Sequence, residues 1–112
     1  MLRSDLWTSA FVRRHNDIGH MCVVSRRGDP IAGQIFIELD HLNGTSSLYV
    51  PAPSSAIEED RKEERLFQLR YAAVEPGKVR DRIAREADFD PDLWVISLEM
   101  RGGDPGLDLI KL

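Results

Sequence analysis

His15, His20, Cys22 and His41 are the only imidazole and thiol groups in the chain, and they bound its nucleophilic and metal chemistry. A zinc site needs three or four such ligands, or carboxylates, converging in space. His20 and Cys22 at i,i+2 share one face of a strand, but no second pair follows at a zinc-type spacing, so no metal and no cofactor is expected. Cys22 sits in an apolar stretch, where burial raises the thiol pKa and keeps it unreactive. Carboxylates are plentiful, yet general acid-base work requires them in a pocket with a shifted pKa. Asp90 and Asp92 flank Pro91 in a turn, where hydrogen bonding to backbone accounts for them. Glu58 to Arg65 is a dense charge run that reads as solvated surface. The glycines are scattered among turns instead of gathered before a helix, which excludes a phosphate cradle. No catalytic motif emerges, and the reading leans away from an enzyme.

Cations remain. Arg13 and Arg14 lie near the end of the first helix, where they favour its negative pole, and Arg26 and Arg27 border the first hairpin turn. If the helix packs so that these four converge, with Tyr49 joining from the third strand, they form an anion- or partner-binding patch. Nucleic acid is not the expected ligand. There is no stacking-aromatic motif, and 19 acidic against 15 basic residues give a net charge of −4 that repels a polyanion.

The elements that would position these groups follow from periodicity and turn residues. Ser4 can cap a helix over 5–18 whose apolar positions are Trp7, Ala10, Phe11 and Ile18, stopped at Gly19. A strand over 20–26, the Gly28-Asp29-Pro30 turn and a strand over 31–40 with Ile31, Ile35, Ile37 and Leu39 on one face predict a hairpin. Asn43-Gly44 predicts a two-residue turn into a third strand, Ser46 to Val50, which completes a meander ended by Pro51-Ala52-Pro53. Residues 54–65 form a polar connection, either a short helix or disordered. Leu66 to Val74 alternates Phe67, Leu69, Tyr71 and Ala73 against polar positions and reads as a strand, with helix as the alternative. Pro76 opens a second helix with an apolar stripe of Val79, Ile83, Ala84 and Ala87 and an Asp81–Arg85 pair at i,i+4. Leu93 to Met100 is a near-continuous apolar strand that belongs inside the sheet. Trp7, Phe11, Phe36, Phe67, Phe89 and Trp94 are the expected large core anchors.

The resulting expectation is an α+β fold with a mixed, mostly antiparallel five-stranded sheet, in the order α-β-β-β-β-α-β, with two main helices. One domain spans 1–101 and a flexible C-terminal tail spans 102–112. At 42% hydrophobic and 30% charged, the composition is that of a folded domain. No apolar run approaches the roughly 20 residues that cross a bilayer, so no membrane association is expected. Arg13 and Arg14 stand where a signal peptide needs its apolar region. Together with the single cysteine, this points to the cytoplasm.

Five blocks, in order, carry a resemblance: Ser4-Asp5-Leu6-Trp7, Arg13-Arg14, Ala32-Gly33-Gln34-Ile35-Phe36, Leu48-Tyr49-Val50-Pro51-Ala52-Pro53 and Phe89-Asp90-Pro91-Asp92-Leu93-Trp94-Val95. The chain resembles an uncharacterised family of small alphaproteobacterial proteins known only as a domain of unknown function, over nearly its whole length to about Leu98. Val50 departs from that pattern, which has glycine before Pro-Ala-Pro. The resemblance implies a bacterial cytoplasmic single domain and carries no functional residues with it.

Two functions follow as expectations. The first is a non-enzymatic protein-interaction module whose partner is unknown or a second copy, paired through an exposed sheet edge as a homodimer. The second is a small-ligand or anion-binding domain that uses Arg13, Arg14, Arg26, Arg27 and Tyr49.

Overall fold

Ile35, Ile37 and Leu39 turn to one side of their strand and Phe36 to the other, and this alternation divides the core into two layers. The computed structural model describes residues 1–111. Its elements are α1 (Ser4–Asp17), β1 (Met21–Arg26), β2 (Ile35–Asp40), β3 (Ser46–Pro51), β4 (Phe67–Val74), α2 (Pro76–Phe89) and β5 (Trp94–Glu99). The fold is α+β, with five strands in the order β1-β5-β2-β3-β4. Only β2 and β5 run parallel, and the other neighbours are antiparallel. Phe11, with Trp7 and Val12, brings α1 onto the face of Ile35, Ile37, Ile96 and Leu98. Val79, Ile83 and Ala87 bring α2 onto the opposite face, over Phe36, Leu48, Val50 and Val95.

The first two strands do not form the expected hairpin, because β5 lies between them. Gly28-Asp29-Pro30 is part of a connection that crosses the start of β5, spanning two strand spacings of about 4.8 Å each. The crossing is tight enough that a Cβ on Gly28 would stand 2.0 Å from the Asp92 carbonyl oxygen, and one on Gly33 would stand 2.4 Å from it. Asp29 N–H donates to Asp92 O at 3.0 Å, and the Trp94 indole N–H donates to Asp29 O at 2.7 Å. Ile31 belongs to this crossing and not to β2, and it is exposed.

Between β2 and β3 the chain uses the loop 41–45 in place of a two-residue turn, closed by His41 N–H to Thr45 O at 3.1 Å. Leu42 (φ 61°) and Gly44 (φ 88°) adopt the left-handed conformation, while the Asn43 carboxamide accepts from the Thr45 N–H. Residues 54–65 contain two single 3-10 turns, Ser54–Ala56 and Glu59–Arg61. β4 is an edge strand with two register irregularities against β3, and Leu69 on its expected inner face is exposed. Phe89, expected in the core, is 87% exposed at the end of α2. On that helix the ion pair is Arg82–Glu86 at 3.0 Å, and no Asp81–Arg85 pair occurs among the described residues.

α1 departs most from its apolar pattern. Its buried residues are Ser4, Thr8, Phe11 and His15, while Leu6, Ala10 and Ile18 face solvent. Ser4 is the first helical residue and caps nothing; its hydroxyl donates to Gly33 O at 2.6 Å. Of the segment 102–112 expected as a loose tail, residues 105–110 lie against the domain, and Leu112 lies outside the described residues. Phe67 N–H donates to Asp108 O at 2.9 Å, Ile110 N–H donates to Phe67 O at 2.8 Å, and Pro105 is buried beside α1.

Candidate functional site

Arg65 ends the charged connection just before β4, where the chain turns inward to Leu66 and Phe67. Its guanidinium lies 5.8 Å from the Trp7 ring, and Nη2 donates to Leu2 O at 2.8 Å and reaches Ser4 Oγ at 3.4 Å. Ser4 thus links Arg65 to the Gly33 carbonyl and ties the start of α1 to the crossing loop. Arg65 Nε is buried without a hydrogen-bond partner. Arg65 joins no ion pair among the described residues. Burial pulls its pKa down from the ordinary arginine value, although a guanidinium remains charged at any physiological pH.

This cation stands in the wall of a half-open cavity of about 400 Å³. Leu2, Ile31, Pro51, Ala52, Ile57 and Leu66 give it apolar sides, with Gln34 and Glu64 as polar neighbours. Its frame is held by backbone. Ala52 N–H donates to Leu66 O at 2.9 Å, and the N–H groups of Ser4 and Asp5 donate to Ile31 O and Pro30 O at 3.2 and 2.9 Å. The Asp29 carboxylate accepts from Ile31 and Ala32 N–H at 3.1 and 2.8 Å, which fixes the loop on the opposite side. Glu64 accepts from Arg61 Nε at 2.9 Å, so the carboxylate in the cavity lining is committed to another arginine. The cavity thus sets apolar surface beside one guanidinium that has no carboxylate partner.

The residues singled out in the sequence are not brought together. Arg13 and Arg14 lie in the C-terminal part of α1, Arg13 exposed and Arg14 lying 5.5 Å from the Phe11 ring. Arg26 and Arg27 lie at the far end of β1. There Arg26 Nη1 donates to Leu93 O at 3.0 Å, and Arg27 covers the Trp94 ring at 5.2 Å. Tyr49 is buried in the core, and burial, aided by the Asp104 carboxylate, raises its pKa. Sequence reasoning missed Arg65 because it closes a charge run. One signal was present: positions i−4, i−3, i+3 and i+4 from Arg65 are Arg61, Lys62, Gln68 and Leu69, so no acid stands at helical pairing distance.

The imidazoles have other work. His15 is buried, with Nε2 2.7 Å from Pro105 O and Nδ1 2.9 Å from His20 Nδ1. Desolvation lowers its pKa, with His20 and Arg14 adding to the effect against the opposing Pro105 carbonyl. Burial pushes the Cys22 thiol up to about 11. His41 Nε2 pairs with Ser47 Oγ at 2.7 Å. Among the described residues no three His, Cys, Asp or Glu side chains stand together to hold a metal ion, and no helix is long and apolar enough to cross a membrane.

The two sheet edges are unequal. On β1 the Asn16 carboxamide acts as a substitute strand, accepting from Cys22 N–H at 2.9 Å and donating to Cys22 O at 3.0 Å. On β4 the 108–110 segment covers Phe67 only.

Comparison with known proteins adds a family and no activity. The family model described as "Protein of unknown function (DUF1491)" matches residues 2–108. Among solved structures, the chain is similar to protein Atu0922 from A. tumefaciens, with 34% identity, a TM-score of 0.83, and 99% of this chain and 96% of that one covered. It is also similar to a DUF1491 family protein from Caulobacter crescentus CB15. A crystal structure so described gives 26% identity and a TM-score of 0.79 with 98% of each chain covered, and an NMR structure so described gives 27% and 0.78. No curated protein matches.

Proposed function

We propose, for a chain that belongs to the DUF1491 family, a small-ligand-binding domain of the bacterial cytoplasm that holds an organic anion in the pocket around Arg65. The observation that supports this reading is a half-buried guanidinium with no carboxylate partner, set in the wall of an apolar cavity of about 400 Å³. A buried cation without a partner lowers stability, and one that gains a bound anion recovers that loss. The reading keeps the anion-binding expectation and moves its centre from Arg13, Arg14, Arg26, Arg27 and Tyr49 to Arg65. A melting-temperature screen against small organic anions tests it. A binder raises the melting temperature of the wild type by mass action, and Arg65→Gln removes the rise. Anions that leave the wild type unmoved, or move both proteins equally, count against it.

A protein-interaction module is the second reading, and β4 is the element that favours it. β4 is an edge strand with Leu69 exposed, and it is covered only at Phe67. Arg70 and the register irregularities oppose edge pairing there, as charges and bulges do on other edges. Sedimentation across a wide concentration range decides whether a second copy pairs there.

A further inference from the structure

Resting on the Arg65 reading, we propose that the occupant is a monoanionic carboxylate with an apolar body, not a phosphate ester. Charge comes first. The pocket offers one unpaired guanidinium, because the Met1 ammonium, the other cation in its lining, is paired with Glu63. A phosphomonoester carries close to two negative charges at neutral pH and three acceptor oxygens, and it is held by several donors. Here four neighbouring backbone donors are already used. Ile31 and Ala32 N–H go to the Asp29 carboxylate, Gly33 N–H goes to Asp29 O and Ala52 N–H goes to Leu66 O. Glu64 on the wall adds negative charge that a dianion meets at greater cost than a monoanion.

Shape and surroundings agree. Arg65 commits Nη2 to Leu2 O and Ser4 Oγ and keeps Nε–H unpartnered, and a carboxylate with two oxygens asks for fewer free donors than a phosphate with three. Beyond the guanidinium most of the wall is aliphatic, and its other charges, Glu64 and the Met1 ammonium, are paired with Arg61 and Glu63. The volume accommodates roughly a dozen water-sized heavy atoms at about 30 Å³ each, the size of a medium-chain or aryl carboxylic acid.

Amide NMR spectra of the wild-type protein titrated separately with sodium octanoate, octyl phosphate and octan-1-ol test the class. Octanoate is expected to move the amides of Ala32, Gly33, Ala52 and Leu66 and to bind about tenfold or more tighter than either analogue. Arg65→Gln is expected to bring octanoate down to the octan-1-ol level, with Arg65→Lys keeping part of the difference. Octyl phosphate binding as tightly as octanoate, or tighter, overturns the carboxylate while leaving an anion pocket standing. Octan-1-ol binding as tightly as octanoate, or no ligand moving those amides, overturns the anion pocket itself. The wild-type series decides even if Arg65→Gln fails to fold.

Discussion

Gly28→Ala isolates the close crossing that replaced the expected hairpin. The added Cβ would stand 2.0 Å from the Asp92 carbonyl oxygen and 2.7 Å from the carbonyl carbons of Asp92 and Leu93. All three are backbone atoms, so no side chain can swing aside. Ordinary contact begins near 3.4 Å, which requires the crossing loop and the start of β5 to part by more than 1 Å. That movement breaks the 3.0 Å bond from Asp29 N–H to Asp92 O and strains the 2.7 Å bond from the Trp94 indole to Asp29 O. Overpacking of this kind costs about 1–3 kcal/mol. Two weakened hydrogen bonds add about 1 kcal/mol each, against about 0.5–1 kcal/mol returned by the lower entropy of the unfolded alanine chain. The net expectation is a loss of about 3 kcal/mol, or about 12 °C in melting temperature for a domain of this size. Urea denaturation and calorimetry read it. Gly77→Ala is the matched control, since its Cβ meets only Glu75 Oε1 at 3.7 Å within a helix, and it should stabilise by about 0.5–1 kcal/mol. A Gly28→Ala loss below about 0.5 kcal/mol refutes the crossing.

His15 has its folded pKa lowered from 6.5, so its contribution to stability is fully present above pH 6.5 and is lost as pH falls below that through the folded value. Urea midpoints should therefore drop on acidification and drop less in His15→Phe, and stability that rises on acidification contradicts this. Asn16→Ala removes both bonds to the Cys22 backbone and should cost about 1–2 kcal/mol while unmasking β1. Concentration-dependent sedimentation checks the second effect, and an unchanged monomer with unchanged stability counts against the Asn16 role. Phe67→Ala should cost about 3–5 kcal/mol by leaving a cavity. Phe89→Ala, at 87% exposed, should fall within about 0.5 kcal/mol of wild type, and equal losses would reverse that assignment.

The element order and the mixed five-stranded sheet were legible because β2 and β5 each open on a short apolar run, buried on both faces, that turn residues bound. Strand order was not legible, since a Gly-Asp-Pro turn signal reads the same in a hairpin and in a connection that steps over one strand. The glycines that permit the crossing, Gly28 and Gly33, were visible, but their close neighbour, Asp92, is distant in sequence. α1 misled for a related reason. Ser4 and His15 are buried with bonds to Gly33 O and Pro105 O, Thr8 is buried with its hydroxyl unpartnered, and neither circumstance leaves a mark on periodicity. Arg65 was hidden in a run of like neighbours, and only its lack of an acid at helical spacing set it apart.

The central claim is that Arg65 is a half-buried cation that takes an anion, and its buried Nε–H proton reports this directly. In the free protein that proton is shielded and lacks a partner, so its NMR resonance should exchange slowly with water and should shift as octanoate is titrated in. An Nε–H that exchanges at the rate of exposed arginines, or that stays fixed while octanoate saturates the protein, contradicts the account.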